Sequence, residues 1–123
     1  MKIVVDAMGG DHAPGSIIEG AVMAVKECDV EIALTGLSGL IEAELSKYED
    51  WMDLPIEVVH AEDVVEMHEA PSKVLRGKKK SSIKVGLDIV KDGHASAFVS
   101  AGNTGAVLAF ATFTLRLLKG VDR

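Results

Sequence analysis

Cysteine is nearly absent. Cys28 stands alone among 123 residues, so no internal disulfide can form and a reducing compartment is expected. Cys28 itself reads as a small packing residue. Aromatic residues make up only 4% of the chain, so core volume has to come from Val, Ile, Leu, Ala and Met. Long apolar runs are missing too. The longest, Ala106 to Leu118, is interrupted by Thr112, Thr114 and Arg116 and is too short to cross a bilayer. The first residues, Met1 to Asp6, lack the apolar core and cleavage site of a secretory signal. A cytoplasmic location is the expectation. No Gly-x-Ser-x-Gly elbow, Walker Gly-Lys-[Ser/Thr] turn or Gly-x-Gly-x-x-Gly fingerprint occurs, which removes the usual grounds for hydrolase, P-loop or dinucleotide chemistry.

One further absence is local. Between Ala70 and Leu87 there is no acid, while Lys73, Arg76, Lys78, Lys79, Lys80 and Lys84 supply six bases. The formal net charge is −6, so the rest of the chain is strongly acidic. A basic island on an acidic body attracts an anion, whether phosphate, an acidic protein, an anionic membrane or nucleic acid. No aromatic interleaves with these bases, which argues against single-stranded nucleic acid. A lysine-rich solvated loop or helix end is the plainer alternative.

What is present is globular: 48% apolar and 26% charged residues. Ile3-Val4-Val5 within Lys2 to Asp6 is a continuous β-branched run, as in a strand covered on both faces. Residues 7–15 are too rich in Gly and Pro for regular structure. Ser16 with Glu19 forms the pattern of a capping box, followed by a helical face of Ile17, Ile18, Ala21, Val22 and Val25. Val30 to Thr35 reads as a second strand. A helix with Leu37, Leu40, Ile41 and Leu45 inward comes next, then a surface connection to Pro55 and a third strand, Ile56 to His60. Ser81-Ser82 can cap a helix to about Lys91, with Ile83, Gly86, Leu87 and Val90 inward. Ala97 to Ser100 reads as the fourth strand and Gly105 to Leu118 as a last helix, apolar on nearly every side and so expected to be buried between elements. Strands alternating with helices predict an α/β fold, a Rossmann-like three-layer sandwich with a mostly parallel sheet.

Ligands of such sheets bind at the carboxyl ends of the strands, and both glycine-rich segments, 7–15 and 100–105, leave strands there. In the second, the first amides of the helix and its macrodipole favour an anion. Gly102 and Gly105 permit close approach, and Asn103 and Thr104 offer a cap and polar contacts. Asp11-His12 can form a carboxylate–imidazole pair for proton transfer, with Asp6 near by; local turn capping is the alternative. His60, Glu62, Asp63, Glu66 and His68 carry metal-capable groups, but without helical spacing, so no metal is expected.

Three segments carry a resemblance. Val5-Asp6-Ala7-Met8-Gly9-Gly10-Asp11-His12-Ala13-Pro14 is similar to the opening signature of the bacterial phosphate acyltransferases of phospholipid synthesis, the PlsX family. Ser100-Ala101-Gly102-Asn103-Thr104-Gly105-Ala106 resembles that family's second signature. Between them, Met67 to Pro71 and Val74 to Ser82 resemble its Pro-x-x-x-x-Arg-x-Lys-x-x-Ser-Ser segment. The chain departs from the pattern at Ala95-Ser96-Ala97, where the family usually has Ala-Asp-Ala.

The resemblance implies transfer of a fatty acyl group from acyl carrier protein to inorganic phosphate, giving acyl phosphate without a cofactor. It also implies a homodimer, peripheral association with the inner face of the membrane, and residues 1–123 as one α/β unit, the amino-terminal portion of a longer enzyme that is inactive by itself. Read with the motifs, Asp11 and His12 are the candidates for catalysis. Asp6, Gly9, Gly10, Arg76, Lys78, Ser81, Ser82, Gly102, Asn103, Thr104 and Gly105 are the candidates for phosphate or substrate binding. A non-catalytic module binding phosphate or an acidic protein, and an acetyl-phosphate-forming subunit of related fold, are the alternatives.

Overall fold

The computed structural model describes residues 1–116. Four strands, β1 (Lys2–Asp6), β2 (Glu31–Gly36), β3 (Ile56–His60) and β4 (Ala97–Val99), form a parallel sheet in the order β3-β2-β1-β4. The registers Val5↔Leu34 and Val5↔Val99 align the carboxyl ends of β2, β1 and β4. Five helices cover the sheet: α1 (Gly15–Glu27), α2 (Ser38–Leu45), α3 (Pro71–Gly77), α4 (Ser82–Lys91) and α5 (Thr104–Thr114). One core gathers Ile18, Val22 and Val25 of α1, Ile41 and Leu45 of α2, and Ile32 and Leu34 of β2. A second, on the other face, gathers Val74, Ile83, Leu87, Ala106 and Phe110 from α3, α4 and α5. The three-layer α/β sandwich expected from the sequence is therefore present, with its sheet wholly parallel among the described residues.

β-Strand alternation divides β1 between these layers. Val4 faces α4, where Gly86 lets the strand side come close. A Cβ on Gly86 would stand 2.5 Å from the Phe98 ring and 3.1 Å from Val4. Ile3 and Val5 face the α1 side.

Four local expectations change. The Ser16–Glu19 capping box does not form. Pro14 is the N-cap residue in a helical conformation with no side-chain cap, and the Ser16 amide donates to the His12 carbonyl at 3.1 Å. The loop has already turned before Ser16, so its hydroxyl has no orphan amide to serve. Leu40 of α2 is exposed, because this short helix presents only Ile41 and Leu45 to the sheet. The basic island holds a helix, α3, that the sequence reading did not mark. Pro71 occupies its first turn, where a missing N–H costs nothing. Finally, α5 ends at Thr114 and is buried on one face, at Ala106, Phe110 and Thr114, while Leu108 and Phe113 are exposed. Among the described residues α3 and α4 make its main packing, so uniform hydrophobicity did not translate into burial all round. The expected last turn, 117–118, lies outside the described residues.

Candidate functional site

Asp6 ends β1 and is 2% exposed, so its carboxylate must be satisfied by the protein. Three segments do this. The Met8 amide donates to Oδ1 at 3.0 Å, the Ser82 hydroxyl donates to Oδ1 at 2.6 Å, and the Ser100 hydroxyl donates to Oδ2 at 2.8 Å. Ser100 Oγ in turn accepts from the Gly102 amide at 3.0 Å. One carboxylate thus ties the first glycine loop, the start of α4 and the second glycine loop to a single point. β4 stops at Val99, one residue short of expectation, and this frees Ser100 to turn inward.

The two loops then touch. A Cβ on Gly9 would stand 2.7 Å from Asp6 Oδ2, 2.8 Å from the Gly102 nitrogen and 2.9 Å from Ser100 Oγ. Only glycine fits there without displacing backbone. Gly10 adopts φ +105°, the left-handed region, and lies against Ala101. Gly105 abuts Pro71, whose ring would be 2.7 Å from an added Cβ. Glycines at 9, 10, 102 and 105 therefore let three stretches, the two loops and the start of α3, converge at the carboxyl edge.

Asn103 caps α5: its Oδ1 accepts from the Ala106 amide at 3.0 Å, while Nδ2 donates to the carbonyls of Glu66 (3.1 Å) and Glu69 (2.8 Å). Its amide is spent on the fold, and the side chain is buried. With Ala106 capped and the Val107 amide bonded to the Asn103 carbonyl, the Thr104 and Gly105 amides are the donors of the first turn left without a partner among the described residues. They face the loop edge with the positive end of the helix dipole behind them.

Ser81 and Ser82 are buried and structural. Ser81 Oγ accepts from the Lys84 amide at 3.1 Å as the N-cap of α4, as the sequence predicts, and Ser82 belongs to the Asp6 hub. Thr35 completes this link by donating to the Ser82 carbonyl at 2.9 Å. Lys78 is committed as well. Its Nζ donates to the Val64 carbonyl at 2.6 Å and to Glu69 Oε2 at 2.7 Å. The Lys78 ammonium, then the Glu66 amide, hold the Glu69 carboxyl below its ordinary value. Lys78 thus braces the 64–69 loop. Arg76 is exposed on α3, its Nε donating only to the Ser72 carbonyl at 3.3 Å. Asp11 and His12 are exposed in the first loop, and no hydrogen bond joins their side chains. Of the two readings the sequence left open for them, the carboxylate–imidazole pair is not formed among the described residues.

His60 lies at the end of β3, where Nδ1 accepts from the Ser38 amide at 3.2 Å. It serves the start of α2. Among the described residues no three His, Cys, Asp or Glu groups gather as a metal site would require. Ser96 sits at the opposite edge of the sheet, its amide donating to the Lys2 carbonyl at 2.8 Å. The departure from the Ala-Asp-Ala pattern is therefore remote from the glycine loops.

Sequence reasoning passed over Ser100 and Glu69 as working residues. Ser100 was signalled by its register, one step past the Val5↔Val99 pair and so level with Asp6. Glu69 had no local signal, because its partner Lys78 is brought to it by the intervening turn of α3.

A parallel α/β sheet with two glycine loops in contact at its carboxyl edge, and helix amides without partners among the described residues beside them, defines an open-sheet, Rossmann-like α/β protein. The particular family follows from comparison: this chain belongs to the family described as fatty acid synthesis protein, whose model matches residues 1–123. The resemblance carried by the three motifs is borne out. Over its whole length the chain is 49% identical to a phosphate acyltransferase of Clostridioides difficile, covering 36% of that protein. It is 51% identical to one of Alkaliphilus oremlandii, again covering 36%, and 49% identical to one of Geobacter sulfurreducens, covering 35%. The chain thus spans about a third of the length of the curated relatives it matches.

Proposed function

We propose that this chain supplies the phosphate-binding half of an acyltransferase site, in which a fatty acyl group passes from acyl carrier protein to inorganic phosphate. The observation that carries this reading is the contact of Gly9 with Gly102 beside the free amides of Thr104 and Gly105. Phosphate held there presents an oxygen to the thioester carbonyl carbon. A C–O bond forms, the C–S bond breaks, and the carrier's thiolate leaves and takes up a proton. The helix dipole and Arg76 offset the charge that develops on the carbonyl oxygen and phosphate. Lys78 acts one step removed, by holding the 64–69 loop against Asn103. Asp11 and His12, both exposed in the first loop, are the groups available to position phosphate or move the proton. The thioester is already activated, so the step needs no cofactor.

Lys73, Arg76 and Lys79 are exposed with no ion pair among the described residues, whereas Lys78 and Lys84 are neutralised by Glu69 and Asp88. The three unpaired bases support acidic acyl carrier protein as the partner, steered by charge. Among the described residues no helix is long and apolar enough to cross a membrane. We extend the proposal to a cytoplasmic homodimer that is peripheral to the inner membrane face, and to negligible turnover by the 123-residue chain alone.

Titration with inorganic phosphate at tens of millimolar should shift the amide signals of Gly9, Gly10 and Gly102 to Gly105. Unmoved signals at those six positions would remove the phosphate pocket. Acyl phosphate formation by the 123-residue chain at the rate of a full-length relative would overturn the claim of inactivity.

A further inference from the structure

The bases between Lys73 and Lys84 are not equally open to a partner. Lys73, Arg76 and Lys79 are exposed and without an ion pair among the described residues, and Lys84 is paired with Asp88 one turn along its own helix. Lys78 and Lys80 differ. Their acids come from outside the island, and both from one loop: Glu69 stands 2.7 Å from Lys78 and Glu62 stands 3.8 Å from Lys80. The acidic loop 62–69 thus lies against the acid-free stretch and occupies two of its cations. This loop has a firmly held part. Ala61 and Val65 are buried, the Asp63 amide donates to the Lys80 carbonyl at 3.2 Å, and the Asp63 carbonyl accepts from the Ser82 amide at 3.2 Å. Beyond Val65 the anchors are few, and Glu66, Met67, His68 and Ala70 are exposed. Two groups hold this turn. Glu69 Oε2 accepts from the Lys78 ammonium at 2.7 Å and from the Glu66 amide at 2.6 Å, and Asn103 Nδ2 donates to the Glu66 and Glu69 carbonyls.

The Lys78 and Glu69 side chains are 30% and 25% exposed, so solutes reach the pair. Ion pairs in that setting contribute little net stability, and exchanging the anion is cheap. The Lys78 ammonium keeps a partner without Glu69, because it also donates to the Val64 carbonyl at 2.6 Å, in the firmly held part of the loop. We propose that Glu69 is an internal stand-in for a carboxylate of the acidic carrier protein: it occupies Lys78 until the carrier docks on Lys73, Arg76 and Lys79, and is then displaced, which releases the 66–69 turn from Lys78. The inference rests on the reading of acyl carrier protein as the partner, and it adds a competitor built into the chain. The carrier wins the exchange because it engages several bases at once, whereas Glu69 engages one. The exchange also reaches the phosphate pocket. Asn103, which holds the same turn, is the cap of α5, and Thr104 and Gly105 follow it directly. A change in the turn is therefore felt at the start of α5.

The test measures binding of unlabelled acyl carrier protein to the isotope-labelled 123-residue chain by NMR, at about 0.15 M salt, where exposed charges more than about 8 Å apart are largely screened. Glu69→Gln removes the charge but keeps an oxygen that can accept from the Glu66 amide. It should bind the carrier about fivefold more tightly than the unsubstituted chain. Glu42→Gln makes the same charge change on an exposed position of α2, in the other layer, and should alter affinity by less than about twofold. With Lys78→Met in place, Glu69→Gln should bring no gain. In the unsubstituted chain the carrier should shift the Glu66 backbone amide and the Asn103 side-chain amide together with Lys73 and Lys79. Equal gains from Glu69→Gln and Glu42→Gln, or a gain that persists with Lys78→Met, would overturn the stand-in and leave the partner reading untouched. Shifts at Lys73 and Lys79 with Glu66 and Asn103 unmoved would do the same. A carrier that binds neither the unsubstituted chain nor Glu69→Gln at millimolar concentration would remove both readings.

Discussion

Asp6 concentrates much of this molecule in one side chain. It is the residue at which three segments far apart in sequence agree on a position, through the hydroxyls of Ser82 and Ser100 and the amide of Met8. Truncating it leaves buried donors without an acceptor, which is the costly direction of hydrogen-bond loss. Asp6→Ala should therefore lower stability by about 3 kcal/mol in urea unfolding, and should broaden the amide signals of both loops. Gly9→Ala makes the complementary test. It leaves every hydrogen bond donor in place but drives a methyl into Asp6, Ser100 and Gly102. A loss of about 1–3 kcal/mol is expected from overpacking, together with loss of the phosphate-induced shifts at Gly102 to Gly105. The residue type was readable at both positions. An acid at a strand end followed by two glycines is a visible pattern, but its three partners lie at distances no periodicity reaches.

At the scale of elements, caps decide where the helices that frame the site begin. Ser81 and Asn103 behave as their residue types predict, each accepting from the amide three residues on. Ser16 does not, because the preceding loop arrives already turned. The 64–69 segment has no regular structure of its own, and α3 and α5 hold it through Lys78, Glu69 and Asn103. That clamp has a pH signature. The carboxyl of Glu69 is held below its ordinary value of 4.5 in the folded protein by Lys78 and the Glu66 amide. Its contribution to stability is therefore fully present above 4.5 and is lost as pH falls through the lowered folded value. Glu69→Gln should reduce stability at pH 7 and flatten the acid limb of a stability-against-pH curve measured from 7 to 3. An unchanged acid limb would show that the clamp carries no linkage.

For the whole molecule, two cores on opposite faces of one sheet leave apolar surface at particular places. On α5, Leu108 is 56% and Phe113 61% exposed, on a helix whose inner face is fully used. Large apolar side chains exposed in this way promote association. Leu108→Lys with Phe113→Lys should reduce self-association in sedimentation experiments and change unfolding stability by less than about 0.5 kcal/mol, as surface substitutions do. A large destabilisation would mean that these side chains pack within the chain after all. The sheet order places β1 between β2 and β4, so the opening loop and the last glycine turn become neighbours despite lying at opposite ends of the described chain.

The amino-acid sequence by itself determined the class of fold, the four strands to within a residue or two, every helix but α3, and the two glycine loops. These depend on short-range properties: β-branched runs, helical spacing, glycine content and cap residues. It also carried the family, through three motifs in order. Only the tertiary structure decided what the motif residues do. Ser81, Ser82, Asn103 and Lys78 looked like ligand contacts and are spent on holding the loops. Asp11 and His12 could have formed a pair and make no hydrogen bond to each other among the described residues. Helix α5 looked buried and is half open. Each of these depends on which groups compete for the same donors and surfaces once the chain has closed. That competition is set by contacts between residues dozens of positions apart, as between Asp6 and Ser82 or Ser100, which no local pattern in the sequence encodes.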